Sequence, residues 1–249
     1  MIRRLALVLC LLLPCSPPTL AWAGQVHVAV AANFIEPAQE IAAAFQAQSG
    51  STVTLSPAAT GQLYTQLAHG APYEVFLSAD AEHAARAEVD GLATPGSRFT
   101  YALGRIVLYS KQPSLVDARG AVLSKGGFNR LALADPATAP YGQAAVETLR
   151  KLGVYDRISP KRVTAVSITQ AYQFIETGAA DLGFVALSQV IRRPGGSRWL
   201  VPAADHAPIT QQAVLLKTGE RNPTARSFLA FLKSAKTRAI IASYGYQVP

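Results

Sequence analysis

Four short stretches of this chain combine small residues, amides and hydroxyls with the start of a helical pattern, around Asn33, Thr60, Tyr141 and Ile168. At each, an apolar run of strand type hands over to residues at helical spacing, so each residue falls on a strand-to-helix turn. The first turn of a helix carries N–H groups with no partner inside the helix, and the helix dipole makes that end electropositive. Such a turn is a neutral anion-binding device. Taken singly, each turn has a plainer reading, in which Thr60 is only a helix N-cap. Lysine and arginine are absent from all four turns. An oxyanion held there would meet backbone N–H groups, hydroxyls and amides but no formal counter-charge. That suits a small, fully enclosed anion, because no unpaired protein charge is left when the site empties.

The elements that must position these residues can be read in order. In Ser56–Asp80, SPAATGQLYTQLAHGAPYEVFLSAD, small residues allow a tight turn, Leu63 and Leu67 share one helix face, and Val75–Leu77 follows as a buried strand. Val26–Ala31 reads as a strand buried on both faces, and a helix with Ile41 and Phe45 inward runs from near Pro37 to Gly50. Val53 and Leu55 mark the next strand. Ser78 and Asp80 look like caps of a helix reaching about Asp90, with Gly91 as its stop. Phe99–Ser110 has the β-branched and aromatic content of one long strand that could connect two lobes.

Further strands are expected at Leu131–Ala134, Val163–Val166 and Leu182–Leu187. Between them, one helix carries Val146, Leu149 and Leu152 and stops at Gly153. Another starts at Ser167, points Ala171, Phe174 and Ile175 inward and ends at Gly178. Arg192–Pro208 reads as irregular, Gln212–Leu216 as a strand returning to the first lobe, and the last helices pack Phe228, Leu232, Ile240 and Ile241. Alternating strands and helices mean an α/β architecture with largely parallel sheets, whose ligands bind at the carboxyl ends of strands. If residues 24–104 and 209–249 form one lobe and 105–208 the other, each lobe presents two of the turns to a cleft.

The chain opens with Arg3 and Arg4, an apolar run from Leu5 to Leu13, and Ala21-Trp22-Ala23, the layout of a secretory signal peptide cut after residue 23. A membrane anchor is the alternative, but the run is far shorter than the roughly 20 residues a spanning helix needs. Both cysteines, Cys10 and Cys15, fall in the leader. Proline beside Cys15 fits a lipoprotein signal poorly. The mature chain would then hold no thiol, which excludes disulfides, thiolate metal sites and cysteine nucleophiles. Loss of Arg3 and Arg4 would lower the formal net charge from +8 to +6. The basic residues are scattered, with isolated pairs at Lys161-Arg162 and Arg192-Arg193, so no nucleic-acid stripe forms.

Other constellations carry less. His27, His69, His83 and His206 share no metal-ligand spacing and read as solvated surface residues. Glu36 fits a first-turn helix carboxylate and Asp181 a loop before a strand. No nucleophile elbow, Walker loop or dinucleotide glycine pattern stands in a supporting context, so catalysis has no sequence support. Tyr244 and Tyr246 could suggest a tyrosine-rich iron site, but no carboxylate or histidine accompanies them, and packing is the simpler reading.

Four ordered motifs, AANF at Ala31–Phe34, GAPYEVFLSAD at Gly70–Asp80, DPATAPYG at Asp135–Gly142 and GAADLGFVALS at Gly178–Ser188, carry a resemblance to the periplasmic molybdate-binding proteins. It runs over about Val26–Tyr246. The resemblance implies a two-lobe type II periplasmic-binding-protein fold that closes over one tetrahedral oxyanion, molybdate or tungstate, and delivers it to the permease of an ABC transporter. It implies a periplasmic monomer that is no enzyme, uses no cofactor and binds no nucleic acid. Carried over by position, Asn33 with its neighbour Ala32, the Thr60 hydroxyl and amide, and the backbone amides of Tyr141 and Ile168 bind the anion, with no direct ligand to the metal atom. Some members place a tyrosine hydroxyl where this chain has Ala186; others carry a Pro-Tyr-Gly turn, as here at Tyr141. Glu74 stands where aspartate is usual and is read as structural. Sulfate, vanadate or chromate is the alternative ligand, and an enzyme on the same fold a more distant one.

Overall fold

The computed structural model describes residues 23–249, so the leader expected over 1–23 lies, but for Ala23, outside the described residues. β1 (Gln25–Ala31) ends in a single 3-10 turn, Ala32–Phe34, and passes into α1 (Ile35–Ser49). Ile41 and Phe45 face the core, and Gly50 ends the helix in the left-handed region at φ 71°, where a side chain would be strained. β2 (Thr52–Ala58) leads to α2 (Thr60–Ala68), then β3 (Val75–Ser78) to α3 (Ala81–Val89). β4 (Phe99–Gly104) and β5 (Ile106–Ser110) follow, with the short α4 (Val122–Lys125), β6 (Leu131–Ala134), α5 (Pro140–Lys151) and α6 (Tyr155–Ile158). Then come β7 (Arg162–Ala165), α7 (Ile168–Glu176), β8 (Leu182–Ala186), α8 (Leu187–Val190), β9 (Ser197–Leu200), β10 (Ile209–Leu215), α9 (Pro223–Leu232) and α10 (Ala235–Ser243).

The strands form two five-stranded sheets, ordered β2-β1-β3-β10-β4 and β7-β6-β8-β5-β9. In each, the first three strands are parallel and the fourth runs against them. β5 and β10, the strands beside the crossings between sheets, fill that antiparallel place, so each sheet is mixed with four of its five strands running the same way, in keeping with the mostly parallel sheets expected. The parallel strands are joined by helices and all end at the same edge, which is where their strand-to-helix turns collect.

The apolar core does not stop at the seam. Ala31, Ala32, Ala59 and Ala79 from the first sheet's edge pack in one cluster with Leu131, Leu133, Phe184 and Ile168 of the second. A separate cluster under the first sheet holds Phe34, Phe45, Phe228 and Phe231, with Phe45 and Phe228 edge-to-face at 5.4 Å. Each such fully buried side chain contributes about 1.5–3 kcal/mol.

Three expectations need correction. Phe99–Ser110 is two strands broken at Arg105, because β4 pairs with β10 in one sheet and β5 with β8 and β9 in the other. Arg192–Pro208 is not wholly irregular: Ser197–Leu200 is an edge strand, hidden in sequence because Arg198 and Leu200 face solvent. Leu152, expected within the helix, is instead the C-cap of α5 and is 41% exposed. Among the described residues, no helix is long and apolar enough to cross a membrane.

Candidate functional site

Thr60 is the first residue of α2, and Ala59, not Thr60, holds the N-cap position. The N–H of Ala59 is taken by Gln62 Oε1 at 3.3 Å. The Thr60 hydroxyl accepts the Ala79 N–H at 3.1 Å, which fixes its rotamer and leaves its one proton free to donate. Tyr141 follows Pro140 at the start of α5, where proline sets φ for a helix and loses no needed N–H. Ile168 opens α7 behind Ser167, whose Oγ accepts from the Gln170 N–H at 3.3 Å.

These residues meet. Ala32, Asn33, Thr60, Tyr141 and Ile168 line one cavity, with Ala31, Ala59, Ala139 and Pro140 completing its wall. It is small, with room for about one water molecule. Among the described residues, the backbone N–H groups of Thr60, Tyr141 and Ile168 donate to no protein acceptor, as expected for first-turn positions. Tyr141 is the only titratable residue on the wall, and burial pushes its phenol well above the usual tyrosine range. The wall is therefore uncharged, and three of its residues keep an unpaired backbone N–H.

Two of these side chains have hydrogen-bond partners that are not part of the wall. Asn33 is buried, and its Nδ2 donates to Gln211 Oε1 at 2.9 Å and to the Tyr246 hydroxyl at 3.1 Å. The Tyr141 hydroxyl accepts from Gln211 Nε2 at 3.3 Å. The Tyr141 turn keeps an unpaired backbone N–H, while the Asn33 side-chain nitrogen is already committed. Gln211 Oε1 also accepts from Tyr101 at 3.0 Å. The Tyr246 hydroxyl lies 2.8 Å from the Asn33 carbonyl oxygen and 3.0 Å from Ser188 Oγ, and Ser188 Oγ donates to the same carbonyl at 2.9 Å. Burial raises the phenols of Tyr101 and Tyr246 too, so all three tyrosines stay neutral.

Sequence reading missed Gln211, Tyr101 and Ser188 as members of this network and assigned Tyr246 to packing alone. A signal existed in the Gln211-Gln212 pair, adjacent amides in a strand whose other buried residues, Ile209 and Ala213–Leu215, are apolar. Glu74, read as structural, accepts from the His27 N–H at 2.9 Å and from Asn222 Nδ2 at 2.7 Å.

Across the seam, the Gly61 N–H donates to the Thr138 carbonyl at 2.9 Å and Thr169 Oγ1 to the Ala32 carbonyl at 3.3 Å. The outer rim carries charge: Arg193 meets Glu36 at 2.7 Å and Arg192 meets Glu40 at 2.9 Å. Glu36 is a first-turn carboxylate of α1, as expected, and also a partner for the opposite lobe. His83 is not a plain solvated histidine. Its Nδ1 lies 2.9 Å from Asp80 Oδ2, and that hydrogen bond raises its pKa against the opposing effect of burial. Among the described residues, no cluster of three or more histidine, cysteine or carboxylate side chains could hold a metal ion.

The chain matches the family model described as "Bacterial extracellular solute-binding protein" over residues 26–247. It is 53% identical over 242 residues to the molybdate-binding protein ModA of Rhodobacter capsulatus, covering 97% of this chain and 93% of that one. It is 48% identical to the molybdate-binding protein ModA of Azotobacter vinelandii, with 91% of each covered. The solved structure of the Azotobacter vinelandii periplasmic molybdate-binding protein superposes with a TM-score of 0.88 at 41% identity, over 90% of this chain and 99% of that chain. With the fold, the two-sheet seam and these likenesses in agreement, the chain belongs to the bacterial extracellular solute-binding proteins, alongside the ModA proteins of these two bacteria.

Proposed function

We propose that this protein captures molybdate between two lobes and hands it to the membrane permease of an ABC transporter. The carrying observation is that turns from both sheets converge on one cavity, each with an unspent backbone N–H and none with a cation. Neutral donors surround a dianion without leaving a buried charge when it departs. The names of the two curated relatives support molybdate as the anion.

In this reading the lobes are residues 24–104 with 209–249, and 105–208. The anion first meets one lobe, at the Thr60 hydroxyl and the N–H groups beside Ala32 and Asn33. Rotation about the two crossings, at Arg105 and just before β10, then brings in the amides of Tyr141 and Ile168. Tungstate, of nearly the same size and charge, binds in the same way. The protein works as a periplasmic monomer, exported by its leader. The reading as a carrier is supported by the relatives, which are named as binding proteins.

The test is calorimetric titration of the ligand-stripped mature chain with molybdate and then sulfate, alongside thermal melts. Ligand at about 1,000 times its dissociation constant stabilises the fold by roughly 4 kcal/mol. A large shift with molybdate and none with sulfate is the expected result. Tighter binding of sulfate, vanadate or chromate would replace the named ligand, and no response to any oxyanion would overturn the reading.

A further inference from the structure

We infer that Gln211 is a positioning residue that couples the two halves of the binding site through hydrogen bonds to Asn33 and Tyr141. This rests on the cavity being the oxyanion site. Gln211 is fully buried in β10 and is not itself on the cavity wall. Its carboxamide reaches both halves at once: Oε1 accepts from Asn33, in the turn after β1, and Nε2 donates to the hydroxyl of Tyr141, at the start of α5 in the other half. Tyr101 fills the second lone pair of Oε1 and so holds the plane of the amide.

The backbone around Gln211 is shaped for this reach. The pairing of β10 with β4 shifts register between Gln211 and Gln212, an irregularity that re-aims a side chain in an otherwise regular ladder. Gly104, the last residue of β4 before the chain crosses to the second sheet, leaves the room. A Cβ there would sit 2.3 Å from the Tyr141 hydroxyl and 3.0 Å from Gln211 Nε2. The bond therefore passes through the place where the two lobes are hinged. Asn33, after β1, and Tyr141, at the start of α5, both line the cavity, and a single planar amide bonds to the side chains of both.

The experiment compares the mature chain with Gln211→Leu, Tyr141→Phe and the double variant. For each, it records molybdate affinity by titration, thermal stability without ligand, and the radius of gyration of the ligand-free protein by small-angle scattering. Gln211→Leu is expected to bind about 10- to 100-fold more weakly and Tyr141→Phe about three- to tenfold more weakly. The double variant should be no weaker than Gln211→Leu by more than about twofold, because both changes remove the same bond. A lower melting temperature with unchanged affinity would mean a merely structural role and overturn the inference, as would fully additive losses. Should Gln211→Leu fail to fold, Tyr141→Phe, which deletes one oxygen, decides alone: unchanged affinity rejects the coupling. If the parent chain binds no oxyanion, the functional reading falls separately, and scattering decides the coupling: expansion of Gln211→Leu upholds it and an unchanged radius rejects it.

Discussion

The seam between the two lobes has an inner and an outer part, and they are built from opposite chemistry. Inside, Asn33, Tyr101, Tyr141, Ser188, Gln211 and Tyr246 form a buried network with no formal charge. Outside, Arg192 and Arg193 face Glu40 and Glu36 in half-exposed pairs. Neutral groups can be buried at modest cost when every one has a partner, whereas a buried charge beside a dianion site would either repel the anion or grip it too firmly to release. Charge is therefore placed where water screens it. The inner seam fixes geometry, and the rim contributes attraction that salt can switch off.

If that division is right, the largest effects on binding arise inside. Thr60→Ala removes a hydroxyl donor from the wall and leaves the Ala79 N–H without its acceptor. It should cost about 1.5–3 kcal/mol of molybdate binding by titration. Unchanged affinity would remove Thr60 from the ligand set. Next comes Gly104→Ala, whose Cβ has no room beside the Tyr141 hydroxyl. Overpacking there should lower stability by about 1–3 kcal/mol in denaturant melts and weaken molybdate binding as well. Loss of stability alone would show that the inner network does not reach the site.

The rim should respond differently. Replacing both Arg192 and Arg193 by alanine breaks two cross-seam pairs that are each almost half exposed. Such pairs are heavily screened, so molybdate affinity should fall by no more than about threefold at low salt, and the difference should vanish toward about 1 M salt. A tenfold loss that persists at high salt would erase the distinction between rim and interior.

How much of this was legible follows from the range of each interaction. The turns at Asn33, Thr60, Tyr141 and Ile168 were visible because the change from strand to helix period is local. Their convergence could be inferred from the rule for open α/β sheets. The break at Arg105 could not, since Phe99–Ser110 is strand-like throughout and only the choice of partners divides it. The bond from Asn33 to Gln211 joins residues 178 positions apart, and the sequence carries no trace of it beyond an out-of-place glutamine. The partner of His83 is within reach of the sequence: Asp80 lies three positions earlier and reads as a helix cap, and a histidine three residues after such a cap lies beside its carboxylate.

That histidine provides the finest test, because it sits at the other lip of the seam. A Cβ on Gly61, whose N–H bonds across to Thr138, would lie 3.5 Å from His83 Nε2. Asp80 caps α3 by accepting the His83 N–H at 2.7 Å and meets the ring with its second oxygen. The ring's pKa is raised by that hydrogen bond first, with further help from the charges of Asp80 and Glu82 against burial and Arg86. A raised value in the folded state means that protonation favours folding. The stabilisation is complete below the unfolded value of about 6.5 and is lost as pH rises through the higher folded value. His83→Gln cannot titrate. The melting temperature of the parent chain relative to this variant should thus fall by about 1–2 °C between about pH 6 and pH 8. A flat difference would mean that the Asp80 contact does not favour the charged ring. A rising one would mean that burial outweighs the carboxylate at this lip, and that the neutral interior of the seam extends further outward than the ion pairs on the opposite rim suggest.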